Sequence, residues 1–79
     1  MSIGRLLAPL ALTPTDRTTL ETWLRRRTTA QALALRAKII LRATTRQSNI
    51  VTAGELRVTK AAVGRWRSRF VRDGLQGLR

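Results

Sequence analysis

The chain has 79 residues with no cysteine and no histidine. This length suits one domain with a small core, and the composition excludes disulfides and argues against a structural zinc site. Sixteen lysine and arginine residues against four carboxylates give a net charge of +12, so we expect a polyanionic partner, with nucleic acid as the first candidate and an anionic membrane surface as the second.

The chain begins with an apolar lead-in segment, residues 1–11, which is interrupted by Pro9. It runs directly into a helix start without a small-residue cleavage site, so we interpret it as cover for a helical core rather than as an export signal. No stretch approaches the length of a membrane span. We assign residues 12–79 to one domain, and the absence of cysteine suits a cytoplasmic location.

A first helix is predicted near residues 14–27. Thr13 is followed by proline and, three positions on, by Asp16, which together match a capped helix start. Glu21 and Arg25 are spaced for an i, i+4 ion pair. The predicted buried stripe of this helix consists of Leu20, Trp23, Leu24 and the stem of Arg27.

A second helix is predicted near residues 30–44, where strong helix formers dominate. Thr28 and Gln31 have the spacing of another capping box. We expect the basic side chains of this helix to be solvated; they are Arg36, Lys38 and Arg42. Its apolar face consists of Leu33, Ala37, Ile40 and Leu41, widened by Leu35 and Ile39.

Two further helices are predicted near residues 49–56 and 60–72. Ser48 or Asn49 caps the shorter one, and Thr59 caps the longer, basic one. A short helix, a turn of three residues and a longer basic helix have the layout of a helix-turn-helix, in which the second helix enters the major groove of DNA.

The longer basic helix has two different faces. Val63, Trp66 and Phe70 fall at i, i+3 and i+7, which places them on one side and predicts that Trp66 belongs to the core rather than to a base-stacking surface. Gly74 follows the helix as its stop signal, and we expect the leucines beyond it to fold back or to lead onward. The opposite side carries Ala61, Arg65, Ser68 and Arg72.

These positions define the predicted DNA contacts. Arg65 is the best candidate for reading a guanine edge, because its fork matches the two acceptors of that base. For each arginine the alternative is a phosphate contact that carries no sequence information. The predicted base contacts are Lys60, Ala61, Arg65, Ser68, Arg69 and Arg72. The predicted phosphate contacts are Arg57, Thr59, Lys60, Arg67 and Arg69.

Catalysis by this chain is not expected. The four carboxylates are scattered, and no histidine, cysteine or glycine-rich phosphate loop accompanies them. No set of residues for nucleophilic, metal-assisted or acid–base chemistry can be assembled. We therefore predict no catalytic residue, no metal and no cofactor.

The second half of the chain, SNIVTAGELRVTKAAVGRWRSRFVRDGLQGL, resembles the helix-turn-helix of bacterial insertion-sequence transposases of the mariner superfamily, in which W-R-x-R-F and G-L-x-G-L recur. The upstream LTPTDRTTLETWLRRRTTAQALALRAKIIL is similar to their first two helices, through L-T and A-L-R-A-[RK]-I elements. The resemblance spans roughly residues 10–78. It implies an all-α, small homeodomain-like bundle of about four helices, a bacterial source, and double-stranded DNA at the terminal inverted repeats of a mobile element as the partner.

The sequence departs from the family pattern at several points. Arg57 stands where the turn glycine is usual, Thr52 replaces a buried aliphatic residue, and Gly54 lies inside the third helix. We expect a positive φ angle at Arg57, which costs conformational free energy for a residue other than glycine, and we expect a weakened third helix. The resemblance also implies a following catalytic domain with a carboxylate triad, which these residues do not contain, so the chain alone is not expected to be an enzyme.

Two other functions remain open. A small helix-turn-helix regulator would use the same contacts but would need a homodimer and a palindromic site, and no heptad seam is evident. A membrane-active cationic helix would suit the charge, but the repeated capping signals specify several separate helices.

Overall fold

A computed structural model describes residues 10–45 and 48–79. The described residues contain no strand, which confirms the predicted all-α bundle, and the prediction for the lead-in falls largely on residues 1–9, outside this range. The elements are α1 (Pro14–Arg25), α2 (Gln31–Ala43), α3 (Asn49–Leu56), α4 (Lys60–Asp73) and a 3₁₀ helix, here called the tail (Gly74–Leu78).

α1 begins as predicted but ends early. The Thr13 hydroxyl accepts a hydrogen bond from the Asp16 amide at 3.0 Å, which caps the first turn. At the other end, Arg26 leaves the helix with extended angles, φ −78° and ψ 130°. Arg27 therefore lies beyond α1 and is exposed, so its predicted place in the buried stripe was wrong.

The predicted pairing of Glu21 with Arg25 was also wrong. Glu21 lies 3.9 Å from the guanidinium of Arg17, one turn earlier. Arg25 is the last helical residue, and its guanidinium donates to the Thr22 hydroxyl at 3.4 Å. Both contacts are exposed, and we expect each to add little stability because solvent screens them.

The start of α2 differs from the predicted capping box. Its N-cap residue is Ala30, whose methyl side chain cannot accept a hydrogen bond, whereas Thr28 was expected to cap the helix. The reason is the turn after α1, in which the Thr29 amide donates to the Arg26 carbonyl at 3.4 Å. This turn takes up Thr28 and moves the helix start toward Gln31.

α2 lies at the centre of the bundle, because α1, α3, α4 and the tail all pack against it. Ala37 and Ile40 of its predicted apolar face are buried, while Leu33 and Leu41 are partly buried at its edges. Five large side chains from four elements are fully buried and form the centre of the core: Leu20, Ile39, Ile40, Val63 and Leu78.

The basic side of α2 is only partly solvated. Lys38 is exposed, as predicted, but Arg42 forms an ion pair with Glu55 and so joins α2 to α3. Arg36 is partly buried and donates through Nη1 to the carbonyl of Leu78 at 2.9 Å. The predicted solvation of Arg36 was therefore wrong, because α4 and the tail pack over this position. The side chain of Arg42 remains 41% exposed although it is paired.

The turn between α3 and α4 has the backbone expected at its glycine position. Arg57 adopts φ 59° and ψ 44°, in the left-handed region, and the Val58 amide donates to the Ala53 carbonyl at 3.0 Å. Together these features end α3 and reverse the chain toward α4. Thr52, expected at an aliphatic position, is only 3% exposed and is the one buried polar residue among the described positions.

The tail folds back onto α4 and closes the core. Gly74 starts the reversal with φ 66°, and Leu78 is 0% exposed. Gly77 lies so close to α4 that a Cβ atom there would meet the carbonyl oxygen of Arg69 at 2.5 Å. The tail can therefore pack in this position only because residue 77 has no side chain.

We predict that Gly77→Ala destabilises the domain by about 1–3 kcal/mol, because the added methyl group overlaps backbone that cannot move alone. Urea unfolding would measure the loss. The matched control is Gly54→Ala, since a Cβ there meets nothing within 4 Å. Alanine inside a helix should stabilise the folded domain by as much as about 1 kcal/mol relative to glycine. Equal effects of the two substitutions would contradict the packing of the tail.

We also predict that Arg57→Gly is more stable than Arg57→Ala by about 1 kcal/mol. Both variants lose the same guanidinium, so their difference isolates the left-handed backbone, which glycine adopts without strain. Thermal unfolding of the two variants would measure it. A more stable alanine variant would mean that the turn has another conformation in solution.

Candidate nucleic-acid interface

The apolar side of α4 fixes this helix to the rest of the bundle. Val63 and Phe70 are buried, and Trp66 is partly buried and packs against the same core. This confirms the predicted role of Trp66 in packing. Because three side chains over two turns are anchored, the opposite side of α4 is held toward solvent.

The exposed side of α4, here called the α4 face, consists of the four positions predicted from spacing: Ala61, Arg65, Ser68 and Arg72. Arg72 is engaged, since its Nε donates to the Asp73 carboxylate at 3.1 Å. Among the described residues none bonds to the Arg65 guanidinium, so its fork is available to a ligand. The small side chains of Ala61 and Ser68 leave room for a close approach to this face.

The N-terminal edge of α4 adds charge and backbone donors beside the α4 face. Lys60 and Arg57 are exposed there, and the Thr59 hydroxyl accepts from the Ala62 amide at 3.0 Å. Thr59 therefore caps the helix, while its own O–H remains able to donate. A helix N-terminus carries a partial positive charge, so this edge favours phosphate oxygens.

Two of the predicted contact residues lie at the border of the α4 face rather than on it. Arg67 is partly buried, and this desolvation lowers the pKa of its guanidinium, which remains charged. Arg69 is also partly buried, with its Cζ 5.1 Å from the centre of the Trp66 ring and its Nε buried without a hydrogen-bond partner among the described residues. The contacts assigned to both residues stay predictions.

Two features of this region were not anticipated. Val71 on α4 is 69% exposed, an apolar side chain of the kind that can contact a thymine methyl group. Arg36 of α2 places its Cζ 4.1 Å from the centre of the Trp66 ring. A signal for Arg36 existed in its spacing, since it lies three and four residues before the buried Ile39 and Ile40 and so borders the apolar face.

The distribution of carboxylates leaves the α4 edge positive. Three of the four carboxylates pair with Arg17, Arg42 and Arg72, and no ion pair within the described residues involves Arg57, Lys60 or Arg65. The described residues also bring together no group of three histidine, cysteine or acidic side chains. None of the described helices has both the length and the apolar character to cross a bilayer.

The comparison with known families agrees with this architecture. A family model described as a homeodomain-like domain matches residues 30–79, which contain α2, α3, α4 and the tail. α1 precedes the matched range. Neither a curated protein nor a solved structure matches the chain. Since the family match covers more than half of the sequence, the chain belongs to the homeodomain-like helix-turn-helix domains, a class whose expected partner is DNA.

Proposed function

We propose that this chain binds double-stranded DNA by inserting the α4 face into the major groove, and that it serves as the end-binding module of an insertion-sequence transposase. The observation that carries the proposal is the Arg65 guanidinium, to which none of the described residues bonds, on an exposed helix face whose opposite side is anchored in the core. A rigid helix with an unpaired arginine fork has the means to read a base edge.

The proposed DNA contacts are of two kinds, contacts to base edges and contacts to phosphates. Arg65 reads a base, while Ser68 and Ala61 beside it allow close approach to the base edges. Arg57 and Lys60 hold phosphates at the N-terminal edge of α4, where the helix dipole adds to their charge. This division assigns specificity to the α4 face and most of the affinity to the N-terminal edge of α4.

The transposase assignment rests on the resemblance of residues 10–78 to insertion-sequence transposases. The catalytic carboxylates of those enzymes have no counterpart in these residues, so we propose that this part of the protein recognises DNA and does not cleave it. A regulator with the same fold would bind at promoters, whereas an end-binding module would bind at the inverted repeats of a mobile element. The genomic positions of the preferred site therefore separate the two.

We predict that binding selection from a random duplex library yields a defined motif. With roughly five to seven phosphate contacts, the logarithm of affinity should fall with the logarithm of salt concentration at a slope of about −4.5 to −6. Fluorescence anisotropy with the selected duplex would measure the slope. Selection that yields no motif at any salt concentration would overturn sequence recognition.

We predict different effects from two single-cation substitutions. Arg65→Ala should reduce discrimination at one base position by about 1–3 kcal/mol, since the bidentate contact is lost. Arg57→Gly should weaken binding to all sequences alike and make the salt slope shallower by about 0.9, since only a phosphate contact is lost. Competition assays against single-base variants of the selected site would compare them. Equal losses at every sequence for both variants would exclude base reading by Arg65.

A further inference from the structure

Arg36 is a single side chain that connects three elements. It belongs to α2, its Cζ lies 4.1 Å from the centre of the Trp66 ring on α4, and its Nη1 donates at 2.9 Å to the carbonyl of Leu78 in the tail. Leu78 itself is fully buried. The guanidinium therefore uses its flat face for one element and its edge for another.

Three residues to which the proposed DNA contacts give no role meet at this place, and each belongs to a different sequence element. Arg36 lies in ALRAKI, Trp66 in WRSRF and Leu78 in GLQGL. They are far apart in the chain, since Arg36 and Leu78 are separated by 42 positions in sequence. In the fold they meet at the guanidinium of Arg36, so a single structural role, holding α4 and the tail against α2, can account for all three.

Arginine is suited to this task in a way that lysine is not. Its planar group can stack on an indole and donate along its edge at the same time, while an ammonium has no flat face. The tail is held on its other side by Gly77, which lies against the carbonyl of Arg69 without room for a side chain. Arg36 and Gly77 together fix the tail against α4.

Trp66 directly follows Arg65 in α4, so the orientation of the indole and that of the α4 face are linked through one rigid helix. We propose that Arg36 is a positioning residue of the DNA interface: it holds α4 at the angle at which Arg65 meets a base, and it does so through Trp66 and the tail without touching DNA. The inference rests on the proposed function. Contact geometry at such sites must be held within fractions of an ångström, which makes this support measurable.

Arg36→Gln tests the inference, with Lys38→Gln as the matched control. Both residues are on α2 and both variants lose one positive charge, but Lys38 is exposed. A second control, Ile40→Val, perturbs the buried side of the same helix without removing charge. For each variant, the affinity for the selected duplex and for an unrelated duplex would be measured over a series of salt concentrations.

We expect Arg36→Gln to lower the ratio of specific to non-specific affinity roughly tenfold, the size of effect typical of residues that act through packing. The salt slope should stay unchanged, because no phosphate contact is lost. Lys38→Gln and Ile40→Val should have the same ratio of specific to non-specific affinity as the wild-type protein. If Arg36→Gln does not fold, Arg36→Lys takes its place, with a smaller loss of the ratio expected and an unchanged ratio overturning the inference.

Three results would overturn the positioning role. A salt slope shallower by about 0.9 with equal losses on both duplexes would make Arg36 a phosphate contact. A similar loss of the ratio in Ile40→Val would make the effect one of general stability. If Arg36→Gln and the wild-type protein select the same motif and have the same ratio of specific to non-specific affinity, this inference alone is refuted. If the wild-type protein selects no motif, the proposed function is refuted as well.

Discussion

The structure depends above all on the packing of every other element against α2. This helix supplies Ile39 and Ile40 to the centre of the core, where they meet Leu20 of α1, Val63 of α4 and Leu78 of the tail. The position of α4, and therefore of the proposed DNA interface, follows from which side of α2 it occupies.

A net charge of +12 on this small core constrains how arginines are used. Several do not simply extend into water: Arg36 stacks on Trp66, Arg79 lies over Trp23, and Arg42 pairs with Glu55. These contacts use the flat, weakly hydrated guanidinium as a packing surface. Arg57, Lys60 and Arg65 form no ion pair with another described residue, so their charge is available to a polyanion. Arginine therefore serves both stability and binding in this domain.

Local signals predicted the helices and the orientation of α4 well. The caps at Thr13, Ser48 and Thr59 all form, since each depends only on the next three residues. The positive φ of Arg57 was expected from the resemblance, because Arg57 stands where the resembled sequences usually have a turn glycine. Where prediction failed, as at Thr28, a neighbouring turn competed for the same residues and decided where the helix could start.

The sequence by itself determined the helix-turn-helix order, the buried side of α4 and the basic character of the opposite side, because helical periodicity and charge are readable over a few residues. Only the tertiary structure decided the contacts of Arg36 with α4 and the tail and the closing of the core by Leu78. These contacts join residues from separate elements, and no local pattern specifies which distant side chain will fill a given space.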